Sequence, residues 1–137
     1  MQNILVDTCF WFGLFDKNDQ WHKSALDILE ATKKENRYLI PFPSLYEILH
    51  TQFVKNNKNN FDAFLKSHQV NFIKDDKYIK KAFERCLKPE NYKYSLVDLV
   101  LRMMITGVNI SIQAFITFNS NDFHDVCQER GITLLSS

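Results

Sequence analysis

The stretch ILVDT at residues 4–8 decides the fold of this chain. Three branched apolar residues in succession, stopped by an aspartate and a threonine, are typical of a short strand buried on both faces. A strand is therefore predicted over residues 3–6. Four more apolar runs of this kind follow, at residues 38–40, 70–73, 114–117 and 132–135.

The segments between these runs carry apolar residues at helical spacing. Helices are predicted from a cap at Asp19 to the polar residues 33–36, over 44–53, from Asp75 to residue 86, over 96–105 and over 121–130, with a loop at the polar KNNKNN, residues 55–60. Strands that alternate with helices predict an α/β fold, a three-layer α/β/α sandwich around a mostly parallel sheet of four to five strands. We expect a single domain over residues 1–137.

Bulk composition excludes several classes of protein. The 137 residues carry 17 basic and 16 acidic side chains, a net charge of +1, which excludes a strongly basic nucleic-acid module. No apolar run approaches the ~18 residues of a membrane span, and the N-terminal MQNILVDT lacks a signal-peptide pattern. Three cysteines without metal-ligand spacing, Cys9, Cys86 and Cys127, predict buried free thiols in a reducing cytoplasm.

Acidic residues lie at predicted strand ends and helix starts: Asp7, Glu47, Asp98 and Asp122, the last near Asn119. Each has an ordinary structural explanation, such as a helix cap for Asp7, a solvated helix face for Glu47 and a capping box for Asp98. Their joint placement favours a site, because ligands of parallel sheets bind beyond the carboxyl ends of the strands. Carboxylates gathered there repel one another, and Mg²⁺ or Mn²⁺ removes that repulsion.

Five segments together resemble the PIN domain, the nuclease fold of VapC-type bacterial toxins. They are ILVDT, DQWHKSALDILE, PSLYEIL, YSLVDLVL and FITFNSNDF, spread from residue 4 to about residue 134. The resemblance implies a Mg²⁺- or Mn²⁺-dependent ribonuclease with an acidic cluster. Asp7, Glu47 and Asp98 match the first three acidic positions of the family.

The fourth acidic position of the family departs from its common pattern in this chain. Many members have T-x-D there, whereas this sequence reads Thr117-Phe118-Asn119. We expect Asp122 to serve as the fourth acid, with Asn119 assisting it. The resemblance also implies hydroxyl groups near the metal, from Thr8 and Thr117.

The implied reaction is hydrolysis of RNA phosphodiesters, with Asp7, Asp98 and Asp122 as metal ligands and Glu47 as a ligand through water or a general base. RNA binding needs cations, and the candidates are Lys55, Lys58, Lys74, Lys77, Lys80, Lys81 and Arg85, all of which also suit a solvated helix face. The aromatic cluster of Phe10, Trp11, Phe12 and Phe15 suits a core or a dimer interface better than base stacking. The resemblance further implies an antitoxin protein that covers the cleft, and a homodimer.

Two other functions are compatible with these residues. A receiver-like signalling domain also gathers carboxylates around Mg²⁺, but it requires an aspartate that ends a central third strand and a lysine that ends the last strand. A PIN-like module that binds RNA or protein without catalysis is the second alternative. The amide at Asn119, which brings no charge, supports that reading.

Overall fold

Five short strands form an all-parallel sheet in the computed structural model, which describes residues 1–136. They are β1 (Gln2–Val6), β2 (Asn36–Pro41), β3 (Gln69–Ile73), β4 (Ala114–Ile116) and β5 (Thr133–Leu135). The order across the sheet is β3-β2-β1-β4-β5. The predicted fold class is confirmed, and the ILVDT strand lies at the centre of the sheet.

Seven α-helices cover the two faces of this sheet in residues 1–136. They are α1 (Thr8–Phe15), α2 (His22–Thr32), α3 (Phe42–Ile48), α4 (Thr51–Ser67), α5 (Ile79–Cys86), α6 (Leu96–Thr106) and α7 (His124–Arg130). Single turns of 3-10 helix lie at Pro89–Asn91 and Ser120–Asp122. Buried side chains of α1, α2, α3 and α4 form one core, and those of α5, α6 and α7 form another.

Strand β1 contributes to both cores because successive side chains of a strand point to opposite faces. Ile4 and Val6 pack into the α1–α4 core, whereas Leu5 packs into the α5–α7 core, and all three are fully buried. This burial explains why the strand lacks alternating polar residues. It also sets the position of Asp7, the first residue after the strand.

The predicted loop at residues 55–60 is wrong, because these residues lie inside α4. The asparagines and lysines there occupy the outer side of a helix whose inner side is apolar and buried at Phe53, Phe61 and Phe64. The burial of three phenylalanines outweighs the weak helix propensity of asparagine. The predicted single helix over 44–53 is likewise two helices, since the chain turns at Leu49 and the ring of His50 caps α4.

Three other predicted helices begin later than expected. Asp19 does not cap α2 but accepts a hydrogen bond from the backbone of Trp21 in the turn before it. The carbonyl of Asp75 accepts the backbone N–H groups of Tyr78 and Ile79, in a turn that precedes α5. Residues 120–122 form a separate 3-10 turn before α7. In each case, local turns use the polar residues that the sequence pattern assigned to helix starts.

The cysteines and the hydrophobic segments agree in part with the sequence predictions. No disulfide joins the described residues, and Cys127 is buried as expected, but Cys9 and Cys86 are only partly buried. Phe10 and Trp11 are core residues, as predicted. Within residues 1–136, no helix combines the length and the apolar character that a membrane span requires.

Candidate functional site

A cleft of about 480 Å³ opens beyond the carboxyl ends of β1 and β4. Five of the residues predicted from the sequence line it, namely Asp7, Thr8, Glu47, Asp98 and Asn119. They come from four separate segments of the chain: the β1–α1 junction, α3, α6 and the segment after β4. The structure therefore brings together most of the expected acidic site.

Asp7 is the most buried carboxylate of this cleft, with 7% of its surface exposed. Its Oδ1 accepts the backbone N–H of Thr8 at 2.8 Å, so Asp7 also caps α1. The pKa of the Asp7 carboxyl is raised to about 6, mainly by burial and to a smaller extent by the charge of Asp98, although hydrogen bonds from Thr117 and Thr8 lower it. Within residues 1–136, no basic side chain contributes to this balance. Asp7 thus carries a negative charge that no nearby cation compensates and that these hydrogen bonds compensate only in part.

Thr117 connects Asp7 to the segment that follows β4. Its hydroxyl donates to Asp7 Oδ2 at 2.8 Å and accepts the backbone N–H of Asn119 at 3.0 Å. Thr117 is fully buried, directly after the last residue of β4. This chain of hydrogen bonds fixes the Asp7 carboxylate relative to Asn119.

Glu47 reaches the cleft from the last turn of α3. The hydroxyl of Thr8 donates to Glu47 Oε1 at 2.6 Å, across the contact between α1 and α3. Among residues 1–136, nothing donates a hydrogen bond to the other oxygen, Oε2. Thr8 therefore orients this exposed carboxylate and leaves one oxygen available for a ligand.

Asp98 lies in the first turn of α6, where it has two roles. Its Oδ2 accepts the backbone N–H of Ser95 at 3.1 Å, while Ser95 Oγ accepts the backbone N–H of Asp98 at 3.0 Å. The predicted capping box is confirmed, with aspartate in place of glutamate. Asp98 also lines the cleft, so capping holds the carboxylate in place instead of excluding a second role.

Asp122 lies behind Asn119 and does not line the cleft. Asn119 Nδ2 donates to Asp122 Oδ2 at 2.8 Å. The guanidinium of Arg102 donates to the Asp122 backbone carbonyl at 2.6 Å and forms two hydrogen bonds of 2.7 Å with Asp125. Arg102 thereby joins α6, the 3-10 turn and α7. The role of Asp122 as a metal ligand stays a prediction.

The donor set of the cleft suits a hard cation that keeps part of its water. Within residues 1–136, no three His, Cys, Asp or Glu side chains are close enough together to hold a metal ion by themselves. Mg²⁺ in particular is often held by one or two carboxylates, several waters and the phosphates of a substrate. Asp7 and Asp98 meet that requirement, since both are carboxylates of the same cleft.

Several lining residues were not singled out by the sequence analysis. Trp21 stacks on Phe118, with ring centroids 5.1 Å apart and an angle of 8° between the planes. Both rings line the cleft, and the Phe118 ring lies beside Gly13 of α1, 3.4 Å from the place of a Cβ atom there. Phe118 directly follows the strand-end residue Thr117, so the same strand-end rule identifies it in retrospect.

Cys9 also lines the cleft, but its thiol is a poor nucleophile. Its Sγ lies 3.6 Å from Asp7 Oδ2 and accepts the backbone N–H of Phe118 at 3.3 Å. Burial and the nearby charge of Asp7 raise the pKa of the Cys9 thiol to about 12. A thiol that stays protonated supports the Asp7 carboxylate and does not form a covalent intermediate.

The predicted RNA-binding cations do not line the acidic cleft. Lys55 and Lys58 lie on the exposed side of α4, where they line a different hollow of about 520 Å³. Lys77 lies near the carboxyl end of β3, and Lys81 is exposed on α5. Their role in binding RNA stays a prediction. The third strand, β3, is an edge strand, which contradicts the receiver-like alternative because that alternative needs a central third strand.

The comparisons with known proteins bear on the fold. No family model matches the chain, and no curated protein matches it. A solved structure similar to it is described as "Crystal structure of VapBC2 from Rickettsia felis bound to a DNA fragment from their promoter". The two structures superpose with a TM-score of 0.60 over 98% of this chain and 98% of that chain, and their sequence identity is 16%. The chain therefore shares its fold with a chain of a VapBC complex, which is consistent with a PIN-like architecture.

Proposed function

We propose that this protein is a Mg²⁺- or Mn²⁺-dependent ribonuclease of the PIN type and the toxin of a toxin–antitoxin pair. The observation that carries the proposal is a buried carboxylate, Asp7, in a cleft that it shares with Asp98 and with no basic side chain of residues 1–136. Burial of an uncompensated charge destabilises a fold. A divalent cation that compensates the charge of Asp7 would explain why this buried carboxylate lies at the end of a strand.

The acidic and hydroxyl side chains in and beside the cleft have proposed roles. Asp7 and Asp98 are the main metal ligands, and Asp122 contributes beside Asn119. Glu47 is the general base, which takes the proton of an attacking water at Oε2 while Thr8 holds its other oxygen. Thr117 keeps Asp7 in place through its hydroxyl. When bound, the cation lowers the pKa of a water ligand and stabilises negative charge on the phosphate.

The test is cleavage of RNA in the presence of Mn²⁺ or Mg²⁺. We expect Asp7→Asn and Asp98→Asn each to lose at least about 100-fold in rate, which corresponds to about 2.7 kcal/mol of transition-state stabilisation. Asp27→Asn is the matched control, because Asp27 is an exposed aspartate of α2. Equal cleavage by the wild type and the two cleft variants would reject the assignment of the site.

Metal binding is measured separately from cleavage. Mn²⁺ at ~100 times its dissociation constant is expected to stabilise the wild type by about 2.7 kcal/mol in thermal unfolding. The Asp7→Asn variant should show no such response. A stabilisation that persists in this variant would place the metal elsewhere.

An antitoxin partner and a homodimer are part of the proposal. Support comes from the similar fold of a chain in the VapBC2 structure. The expected partner is the product of a short gene immediately upstream of the one that encodes this protein. Co-expression should give a complex in which RNA cleavage is inhibited, and sedimentation analysis of the protein alone measures whether it dimerises.

A PIN-like module without catalysis is the second candidate. The observation that favours it is the side chain of Asn119, which donates to Asp122 and brings no charge into the cleft. This candidate predicts RNA binding or protein binding without cleavage in either metal. The Asn119→Asp variant discriminates between the two, since a true metal site should bind Mn²⁺ more tightly with the added carboxylate.

A further inference from the structure

A second hollow, of about 410 Å³, adjoins the acidic cleft between α1 and the start of α4. Phe12 lines both spaces, so the two are neighbours on the same side of α1. The volume is within the ~300–1,000 Å³ typical of small-ligand sites. We refer to it as the α1–α4 hollow.

We propose that the α1–α4 hollow binds an unpaired nucleobase of the RNA whose phosphate occupies the acidic cleft. This inference rests on the proposed nuclease function and adds a subsite to it.

Aromatic rings form one part of the hollow. The rings of Phe12 and Phe53 lie 5.7 Å apart at an angle of 83°, and the ring of His50 lies 6.0 Å from that of Phe12. Phe12, which the sequence pattern assigned to a core or a dimer interface, packs against the core but is only partly buried and lines the hollow. Phe53 is almost fully buried and belongs to the core. Aromatic side chains of this kind are platforms on which unpaired bases stack, with little dependence on base identity.

Carboxamides form another part of the hollow. Gln52, Asn56 and Asn57 line it from the first turns of α4, and Asn18 lines it from the segment after α1. A carboxamide donates and accepts hydrogen bonds at once, as the edge of a nucleobase does. Asparagine and glutamine are accordingly the side chains that pair with adenine in two hydrogen bonds. Rings and amides together match both the face and the edge of a base.

The charges at the rim also suit a nucleotide. Lys17 and Asp16 both line the hollow, so that a phosphate has one cation nearby and no excess of acidic groups. Phosphate contacts of this kind position a nucleic acid without reading its sequence. The acidic cleft, by contrast, needs a divalent cation before it can hold a phosphate. A base in the hollow would therefore lie beside the reacting phosphate.

A protein partner fits the hollow less well. Among residues 1–136, the large hydrophobic side chains that are most exposed include Leu49 and Val54, and none of these lines the hollow. Phe12 and Phe15 do line it, but both are partly buried. The core of a protein interface depends on exposed apolar and aromatic anchors. The lining here is instead divided between rings and polar side chains, which suits a flat polar ligand.

The test uses nucleotide binding without metal, so that cleavage plays no part. The probes are the four ribonucleoside 5′-monophosphates, with ribose 5-phosphate as the control that has the same phosphate and no base. Binding in EDTA is followed by NMR, through the side-chain amide signals of Gln52, Asn56 and Asn57. We expect at least one nucleotide to shift these signals and to bind at least about fivefold more tightly than ribose 5-phosphate, as one stacked base provides.

Matched pairs of variants on α4 locate the binding. The N56A/N57A double variant removes two amides that line the hollow, and N59A/N60A removes two amides of the same helix that do not line it. Both changes raise helix propensity, so both proteins should fold. We expect N56A/N57A to weaken nucleotide binding about fivefold and N59A/N60A to leave it unchanged.

Three results would overturn the inference: no nucleotide shifts the signals, ribose 5-phosphate shifts them equally, or the two double variants behave alike. A parallel RNA cleavage assay separates this inference from the proposed function. If RNA is cleaved but nucleotides do not bind in the hollow, the proposed base subsite is refuted and the proposed nuclease function is not. Base binding without cleavage supports the hollow and refutes the nuclease.

Discussion

Replacement of Asp7 by asparagine is expected to stabilise the metal-free protein at neutral pH. Burial raises the pKa of the Asp7 carboxyl from its ordinary value of 3.8 to about 6. Each pKa unit corresponds to 1.36 kcal/mol. The ionised carboxylate therefore costs the folded state about 3 kcal/mol at pH 7.5, and a neutral asparagine avoids that cost.

Part of this gain is lost through hydrogen bonding. The asparagine oxygen can still accept the backbone N–H of Thr8, but its NH₂ group now meets the hydroxyl of Thr117. Thr117 must accept that bond as well as the N–H of Asn119, and its own proton loses a carboxylate acceptor. Such a loss costs about 1 kcal/mol. The net stabilisation at pH 7.5 is therefore about 2 kcal/mol.

The sign of the effect reverses with pH. Because the folded-state pKa of Asp7 is raised, its protonation stabilises the wild type as pH falls through about 6, and this stabilisation is complete below the unfolded-state value of 3.8. Asparagine does not titrate. The wild type and the Asp7→Asn variant should thus be equally stable at about pH 4.5, and the wild type should be the more stable protein below that pH.

The assay is urea unfolding in EDTA at pH 7.5, 5 and 4, with the exposed Asp27→Asn variant as control. A slope of about 1.5 kcal/mol per molar urea converts 2 kcal/mol into a rise of about 1.3 M in the midpoint at pH 7.5. Asp27→Asn should leave the midpoint unchanged at every pH. If Asp7→Asn is less stable than the wild type at pH 7.5, the claim that the charge of Asp7 destabilises the metal-free fold is refuted.

Other substitutions test separate contacts. Thr117→Val removes a hydrogen bond that lowers the pKa of Asp7, so the Asp7 pKa should rise above about 6 when measured by carbon NMR of its carboxyl, and an unchanged midpoint would contradict the contact. Hydrogen bonds from Arg102 hold the pKa of Asp125 down to about 2, which stabilises the fold above pH 3.8, and this stabilisation is lost as the pH falls through 2. Arg102→Met should lower the free energy of unfolding at pH 7 by about 1 kcal/mol, because solvent screens this partly exposed ion pair. In acid unfolding, the stability of the variant should change less between pH 4 and 2 than that of the wild type. Gly131 has φ 65° after α7 with open space around it, so Gly131→Ala should cost about 1 kcal/mol in urea unfolding, and no cost would show that the backbone relaxes.

The alternation of strands and helices was readable from local patterns. Short apolar runs mark all five strands. The run is purely apolar at the end of the central strand β1, because a strand buried on both faces has no room for polar residues, whereas the edge strand β3 includes the exposed Gln69 and Asn71. The position of Asp7 after the central strand followed directly. The capping box at Ser95 and Asp98 was also readable, since it depends on residues three apart.

Helix boundaries were read less well. Residues 55–60 look like a loop when taken alone, yet they form part of α4 because Phe53, Phe61 and Phe64 bury one side of that helix. The energy that decides this comes from packing against other segments, and a window of sequence does not contain it. The break at His50 between α3 and α4 has the same origin.

For the candidate site, the chain order identifies which residues meet the end of the sheet, and the strand-end rule needs only that order. The rule predicted that Asp7, Glu47, Asp98 and Asn119 lie near one another, and all four line one cleft. The fold alone determines that Asp122 lies behind Asn119, and that the hollow beside Phe12 forms between α1 and α4. Such arrangements depend on distances between segments far apart in the chain, which are set when both cores pack and not by any local pattern.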